Sequence, residues 1–234
     1  VSFATKPRLA AFDALRRVRR GELIDRAFAD AAAGLEARDQ AWARELVYGT
    51  VRLRGRLDHL LAAFVRAGLE ALEPDVVDIL RLGAYQLVEM GSVPAYAAVS
   101  QSVDLARSAG VARAAGLVNG VLQACNRGWR SVRFPAFEED AVSHLATWGS
   151  HSRWLVERWV ERWGPDDARR LVELDNTRPA LYLTPVGVTP QEAIDRLTAA
   201  GIDAEPVAEF PTSVRIGPAA GVGEVLGVVP GVIQ

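Results

Sequence analysis

The sequence predicts a mainly α-helical chain: a helical bundle over residues 1–133, a tryptophan-rich helical linker over 134–177, and a small α/β subdomain of β-α-β-β order over 178–234. Three observations carry this. Apolar residues recur at three- and four-residue spacing through residue 127, and Gly and Pro interrupt that pattern at short intervals. Beyond Arg178 the long periods give way to brief apolar runs between Gly and Pro. No internal repeat is present, so the helices read as a bundle and not as a solenoid.

Leu9, Phe12, Leu15 and Val18 step at helical spacing, with Gly21 as the stop. A weaker helix covers Ile24 to Ala33. Asp39 reads as the cap of the longest helix, in which Trp42, Leu46, Gly49, Leu53, Leu57, Leu60 and Phe64 form one continuous stripe. Pro74 occupies a first helical position ahead of Val76, Ile79, Leu80, Gly83 and Leu87. Val93-Pro94 breaks the chain before Tyr96, Val99, Val103 and Ala106, and Leu117, Val118, Val121, Leu122 and Cys125 give a further period. Arg127 to Asp140, with Pro135, is the linker-like stretch. Trp154, Leu155, Trp159, Val160 and Trp163 then share one helix face, expected to pack the linker on the bundle. Gly164-Pro165 ends that helix, and Asp166-Asp167 place acids at the positive end of the next, which runs to about Asn176. In the last segment Ala180–Leu183, Glu205–Ala208 and Ser213–Ile216 read as strands around a helix opened by Thr189-Pro190 and ended by Gly201. The Gly/Val/Pro-rich end from Gly217 offers no closing element, so completion of the sheet is expected downstream.

Several function classes drop out. No apolar run reaches the roughly 18 residues of a membrane-spanning helix, and no signal peptide opens the chain. A single cysteine excludes an internal disulfide framework and fits a reducing cytoplasm; with three scattered histidines it leaves no metal site. No Gly-rich turn follows a strand, and neither G-x-S-x-G nor H-E-x-x-H occurs, so no catalytic or cofactor-binding residue is expected in this chain. Cys125 lies on an apolar helix face and reads as an inert core thiol. His59 reads as a helix-packing histidine. His144 and His151 flank Trp148 and read as packing residues, with stacking on RNA as the alternative.

Charge is unevenly placed. Up to Arg133 there are 19 Lys and Arg against 14 Asp and Glu; beyond it, 8 against 15. All cations but Lys6 are Arg, whose planar fork suits phosphate oxygens. Arg44, Tyr48, Arg52 and Arg56 step along one side of the long helix with Arg54 beside them, a pattern suited to an RNA backbone and one stacked base. Lys6 and Arg8 belong to a second basic surface on the first helix. A solvated basic face accounts for either patch alone; two in one small domain favour RNA. Arg81 interrupts an apolar run, either to reach phosphate or to pair with an acid such as Asp78 or Asp104. Asn119 is expected to tie a helix end to a loop.

Four segments carry a resemblance: Arg44–Arg52 (RELVYGTVR), Ile79–Leu87 (ILRLGAYQL), Val93–Val99 (VPAYAAV) and Gly116–Leu122 (GLVNGVL). In order and spacing they resemble the NusB-like RNA-binding domain. The continuation through His151–Leu155, Trp163-Gly164 and Asn176–Pro179 is similar to bacterial ribosomal-RNA cytosine-5 methyltransferases of the RsmB (Sun/Fmu) type. That resemblance implies a NusB-like bundle, a linker and a small α/β RNA-binding subdomain, followed by a catalytic domain that binds S-adenosylmethionine. The ending Pro230–Gln234 resembles the lead-in to that domain, so this chain reads as its N-terminal part, itself without cofactor, and Cys125 inherits no catalytic role. The implied partner is small-subunit ribosomal RNA. The rival class is a NusB-like antitermination factor or adaptor that binds RNA or a ribosomal protein, with no membrane or metal involved. Leu183, Pro185, Gln123 and Ser152 depart from the family pattern. With the negative charge of the subdomain, this implies weak RNA contact there, or a hinge role.

Overall fold

Prolines mark where helices begin. In the computed structural model, which describes residues 4–177, 180–217, 222–229 and 231–233, Pro7, Pro74, Pro165 and Pro190 all lie in a first helical turn, where the missing N–H has no intrahelical partner to lose. The chain divides into two units, residues 1–176 and 177–234. The linker stretch therefore belongs with the bundle.

The first unit contains α1 (Lys6–Arg19), α2 (Ile24–Ala31), α3 (Ala37–Arg52), α4 (Arg54–Ala62), α5 (Pro74–Val88), α6 (Ala95–Ser108) and α7 (Ala115–Gly128), followed by α8 (Ala141–Thr147), α9 (Arg153–Trp163) and α10 (Pro165–Asp175). Ten of the 15 residues of α5 are buried, so it is the central helix, with α1, α3, α4, α6 and α7 packed around it. Two glycines let neighbours come that close. A Cβ on Gly83 would lie 2.5 Å from Leu122 and 2.8 Å from Ser102 Oγ; one on Gly49 would lie 1.9 Å from the hydroxyl of Tyr85. The core around α5 is branched and aliphatic: Leu46, Leu57, Leu61, Ile79, Leu80, Leu105 and Leu122.

The expected helix from Asp39 to Phe64 is in fact two. It begins at Ala37, after Glu36, and stops at Arg52. Leu53, at φ −99° and ψ 20°, separates it from α4. The stripe reads as continuous because Leu53 is itself buried, so apolar spacing runs through the bend with no Gly or Pro to mark it. A break leaves N–H groups at the start of α4 without partners. Ser150, 95 residues away, supplies one: its Oγ accepts from Gly55 N at 2.6 Å and from Arg56 N at 3.4 Å. Ser150 holds the only positive φ (61°) of a non-glycine among the described residues.

Helices α8 to α10 close over a small core of their own, in which Leu145, Val156, Ala168 and Val172 are fully buried and Phe137, Trp148 and Trp159 pack at the edge. The expected tryptophan face divides accordingly. Trp148 meets α4, whereas Trp154 and Trp163 are 63% and 49% exposed because Val156, and not they, points inward. Tyr96 and Leu117, read as apolar-face residues, also point outward.

The second unit comprises β1 (Leu181–Pro185), α11 (Pro190–Ala199), β2 (Ala204–Pro206), β3 (Val214–Ile216), α12 (Val222–Val228) and β4 (Val232–Ile233). Its antiparallel sheet has the order β2-β3-β1-β4, with Leu183 opposite Val214 and Thr184 opposite Ile233. The expected β-α-β-β is thus extended to β-α-β-β-α-β, with β4 added beside β1 at one edge of the sheet. Alternation puts Leu183, Val214 and Ile216 inward against Leu197 and Val225, while Tyr182, Arg215 and Glu205 face out. Thr189 and Glu192 form a reciprocal capping box at the start of α11.

Two substitutions test this packing. Gly49→Ala should cost about 1–3 kcal/mol by overpacking Tyr85, while Gly120→Ala, where a Cβ meets nothing within 4 Å, should be neutral or gain up to about 1 kcal/mol; urea midpoints compare them. Ser150→Ala should cost about 1 kcal/mol and speed hydrogen exchange at the Gly55 amide, which NMR reads directly.

Candidate nucleic-acid interface

The break at Leu53 decides where the basic residues go. The expected row Arg44, Tyr48, Arg52, Arg56 assumed one straight helix; on two helices it falls into separate settings.

Arg44 and Tyr48 lie over α2. The Arg44 guanidinium stands 4.8 Å over the Phe28 ring and 5.6 Å over Tyr48, and itself stays exposed. Tyr48 donates its hydroxyl proton to Asp25 and meets Phe28 edge-on at 5.8 Å. Burial, then the hydrogen bond and charge of Asp25, push its phenol up to about 12.

A polar seam runs along α5 between α1, α3 and α4. Arg8 Nε donates to Gln86 Oε1 at 2.8 Å, its NH1 to Thr5 Oγ1 at 3.0 Å, and its plane lies 4.6 Å over Trp42. Burial lowers the pKa of this guanidinium. Lys6, two residues earlier and so on the other side of α1, is exposed. Tyr85 donates to Glu45 at 2.7 Å beside Arg52, whose half-buried side chain has no hydrogen-bond partner at Nε. Arg56 is occupied: Nε donates to the Trp148 carbonyl at 2.7 Å, NH1 reaches Glu89 at 3.3 Å, and the plane stacks 4.7 Å over the Trp148 ring.

On another side, Arg54, Arg81 and Arg19 line an open depression of about 620 Å³ with Asp58 and Asp78. Arg81 forks onto both oxygens of Asp58, at 2.7 and 2.9 Å, and reaches Asp78 at 3.1 Å. Of its two readings, the ion pair is the one formed, with Asp78 and additionally Asp58, but not with Asp104. Burial opposes the charge on Arg81, but Asp58 and Asp78 outweigh it and the pKa is raised. Burial also raises the Asp78 carboxyl, against the pull of Arg19 and Arg81. Arg54 is 66% exposed and only 4.0 Å from Asp58.

The three histidines serve packing. His59 bonds the Arg133 carbonyl at 2.8 Å and stacks on Phe134; His144 bonds the Pro135 carbonyl at 2.7 Å and stacks on Trp148; His151 bonds the Gly149 carbonyl at 2.7 Å. Cys125 is fully buried, and burial pushes its thiol to about 11. Asn119 is exposed and makes no side-chain hydrogen bond among the described residues, so the expected tie to a loop is not formed. No cluster of three metal-ligating groups exists among the described residues. Ser150 was not foreseen; nothing local to it signals a cap for a helix far upstream.

Alkaline titration checks the Tyr48 environment. A phenol raised from 10.0 to about 12 favours the native state below pH 10, and that contribution disappears as pH climbs toward 12. Phenolate absorbance should show a late step that Tyr48→Phe removes.

Residues 5–127 match the NusB family, and residues 151–222 match the family described as Methyltr_RsmF/B-like, ferredoxin-like domain. A Mycobacterium tuberculosis relative named as a methyltransferase is 35% identical over 189 residues, 75% of this chain and 40% of its own length. A Bacillus subtilis relative named "Probable ribosomal RNA small subunit methyltransferase B" is 33% identical over 69% of this chain and 36% of its own. The ribosomal RNA small subunit methyltransferase B of Pseudomonas syringae pv. tomato is 30% identical over 76% and 38%. The chain spans about two fifths of the length of the curated relatives it matches. The crystal structure of PH0851 has the same fold over 92% of this chain and 49% of that one, at TM-score 0.64 and 17% identity. With more than half of its residues matched to that profile, the chain belongs to the NusB family and joins its bundle to an RsmF/B-like ferredoxin-like domain.

Proposed function

We propose that this chain is the RNA-binding, substrate-positioning region of a small-subunit ribosomal-RNA cytosine-5 methyltransferase. The observation that carries the reading is the combination, in one chain, of a NusB-family bundle and an RsmF/B-like ferredoxin-like domain, the combination matched by relatives named for methylating small-subunit ribosomal RNA. The bundle binds and orients an RNA segment; the chemistry belongs to the remaining length of the parent.

The residues present do not fit S-adenosylmethionine. Among the described residues the sheet is antiparallel, with no Gly-rich strand-to-helix turn at a switch point between parallel strands. The buried thiol of Cys125 is the wrong environment for a nucleophile. The role of these residues is to hold RNA, and the methyl transfer is assigned to none of them.

Within the expected set, Lys6, Arg44 and Arg52 have no carboxylate within 4.0 Å among the described residues, and Arg54, 66% exposed, reaches Asp58 only at 4.0 Å, so all four retain guanidinium or ammonium donors for phosphate. Arg8 offers the outer edge of its fork beside Trp42. Tyr48, already bonded to Asp25, offers its ring and not its hydroxyl proton. Arg56 and Arg81 act as positioning residues for Trp148 and Asp58. No helix among the described residues is long and apolar enough to cross a membrane, and cytoplasmic location follows from the ribosomal substrate proposed.

Fluorescence anisotropy of a labelled small-subunit rRNA hairpin, at about 50 and about 200 mM salt, tests this: binding should weaken steeply with salt, and replacing Arg44, Arg52 and Arg54 with Ala should flatten the slope by roughly two units. Absence of binding at low salt would overturn the reading and leave a protein partner, such as a ribosomal protein, as the target.

A further inference from the structure

A stretch of 33 residues, from Leu105 to Phe137, contains no Asp or Glu but five arginines. Two of the five are neutralised from outside the stretch: Arg107 pairs with Asp104 at 3.1 Å and Arg113 with Glu73 at 3.4 Å. The other three, Arg127, Arg130 and Arg133, are exposed and have no carboxylate within 4.0 Å among the described residues. A second acid-free run, His59 to Leu69, contains Arg66, also exposed and without an ion pair among the described residues.

The fold brings these two runs together. Gly128, at the end of α7, faces Phe64, whose ring would lie 3.2 Å from a Cβ at that position. His59 bonds the carbonyl of Arg133 and stacks at 4.6 Å on Phe134. Arg66 follows Phe64 by two residues, and Arg127 and Arg130 flank Gly128, so the segments that carry the four cations meet along one seam. The guanidinium carbon of Arg130 stands over Trp129, 4.4 Å from the ring centroid, and Trp129 packs against the main core. Unpaired Arg forks interleaved with half-buried aromatic rings match the chemistry of a nucleic-acid backbone with room for a stacked base.

A structural role accounts for two of the four. Arg130 already has the Trp129 ring under its guanidinium. Arg127 sits in the last turn of α7, where a cation complements the helix dipole. Arg130 lies in the single 3-10 turn, Trp129–Ser131, that continues α7; Arg133 lies five residues beyond α7 and Arg66 four beyond α4, outside the last turn where the dipole acts. Elsewhere in the bundle Arg16, Arg17, Arg19, Arg56 and Arg81 are paired with carboxylates, whereas Arg20, Arg26, Arg38 and Arg44 are exposed singly and without the interleaved aromatic rings of this seam, Arg44 with its own ring contacts excepted. Four mutually repelling cations left without acids cost stability unless an anion neutralises them.

We propose that the corner formed by Arg66, Arg127, Arg130 and Arg133, with Trp129, is a docking site for the phosphate backbone of the RNA, distinct from the arginines of α3 and α4. This rests on the RNA-binding reading above and adds to it a location that the α3 pattern does not include. Four contacts would orient an RNA strand along the seam between α4 and α7.

The test replaces Arg66, Arg127, Arg130 and Arg133 with Gln in the whole chain and measures hairpin binding by anisotropy across a salt series. Four lost phosphate contacts should flatten the slope of log affinity against log salt by about three units and weaken binding at about 100 mM salt at least tenfold. The corresponding four-Lys variant should keep the slope, because it keeps the charge. Wild-type binding with an unchanged slope in the Gln variant overturns the corner and leaves the RNA-binding reading standing. If the wild type does not bind, both fall. If circular dichroism shows the fourfold variant unfolded, Arg130→Gln and Arg133→Gln are read singly; each should flatten the slope by about one unit, and no change in either overturns the proposal.

Discussion

Two backbone amides at the start of α4 govern how the first unit is assembled. Because the chain bends at Leu53, Gly55 and Arg56 present N–H groups that no upstream carbonyl within a helix can take, and the hydroxyl of Ser150 answers both. Ser150 serves them from a left-handed backbone conformation, and the bonds tie the α8–α9 connection to α4. Once there, the Trp148 carbonyl receives Arg56 and the Trp148 ring lies under the same guanidinium. The neighbouring His59–Phe134 stack closes the same edge. A helix interruption that looks like a defect in α3–α4 is therefore the joint by which residues 134–176 become part of the bundle.

Much of this was readable from the chain. Period-3.6 spacing locates α1, α5, α6 and α7, with Pro74 marking the start of α5, and the acids Asp166-Asp167 mark the start of α10, because burial against a common core, fixed proline φ and the helix dipole are local consequences of residue type. What escaped depends on distant partners. The stripe from Trp42 to Phe64 runs unbroken through Leu53, since a buried residue at a bend keeps the same apolar period. The short α12 and β4 lie in a Gly- and Val-rich stretch with too few residues for any period, and only pairing of β4 with β1 identifies it as a strand. The motif segments indicated the family, and the bundle and the ferredoxin-like domain follow their order.

The site was less legible than the fold, for a related reason. Helical spacing places an arginine on a face but says nothing of which carboxylate shares that face after folding. Arg81 looked available and is clamped by Asp58 and Asp78; Arg56 looked exposed and is occupied by a tryptophan. Conversely, Arg66 and Arg130 belong to no regular row, yet the absence of acids along both of their segments is a sequence signal. Gaps in acidic residues between cations say more about this surface than the number of cations does. Paired arginines hold helices together; unpaired ones leave net charge for a partner.

The contact between Gly49 and Tyr85 carries an evolutionary consequence. With the tyrosine hydroxyl lying where a Cβ at residue 49 would have to be, and that hydroxyl committed to Glu45, neither position can drift alone. A lineage that enlarges residue 49 must first shrink residue 85, and in doing so strands a carboxylate at residue 45. Three positions on two helices are thereby bound to change as a set, or to remain Gly, Tyr and Glu.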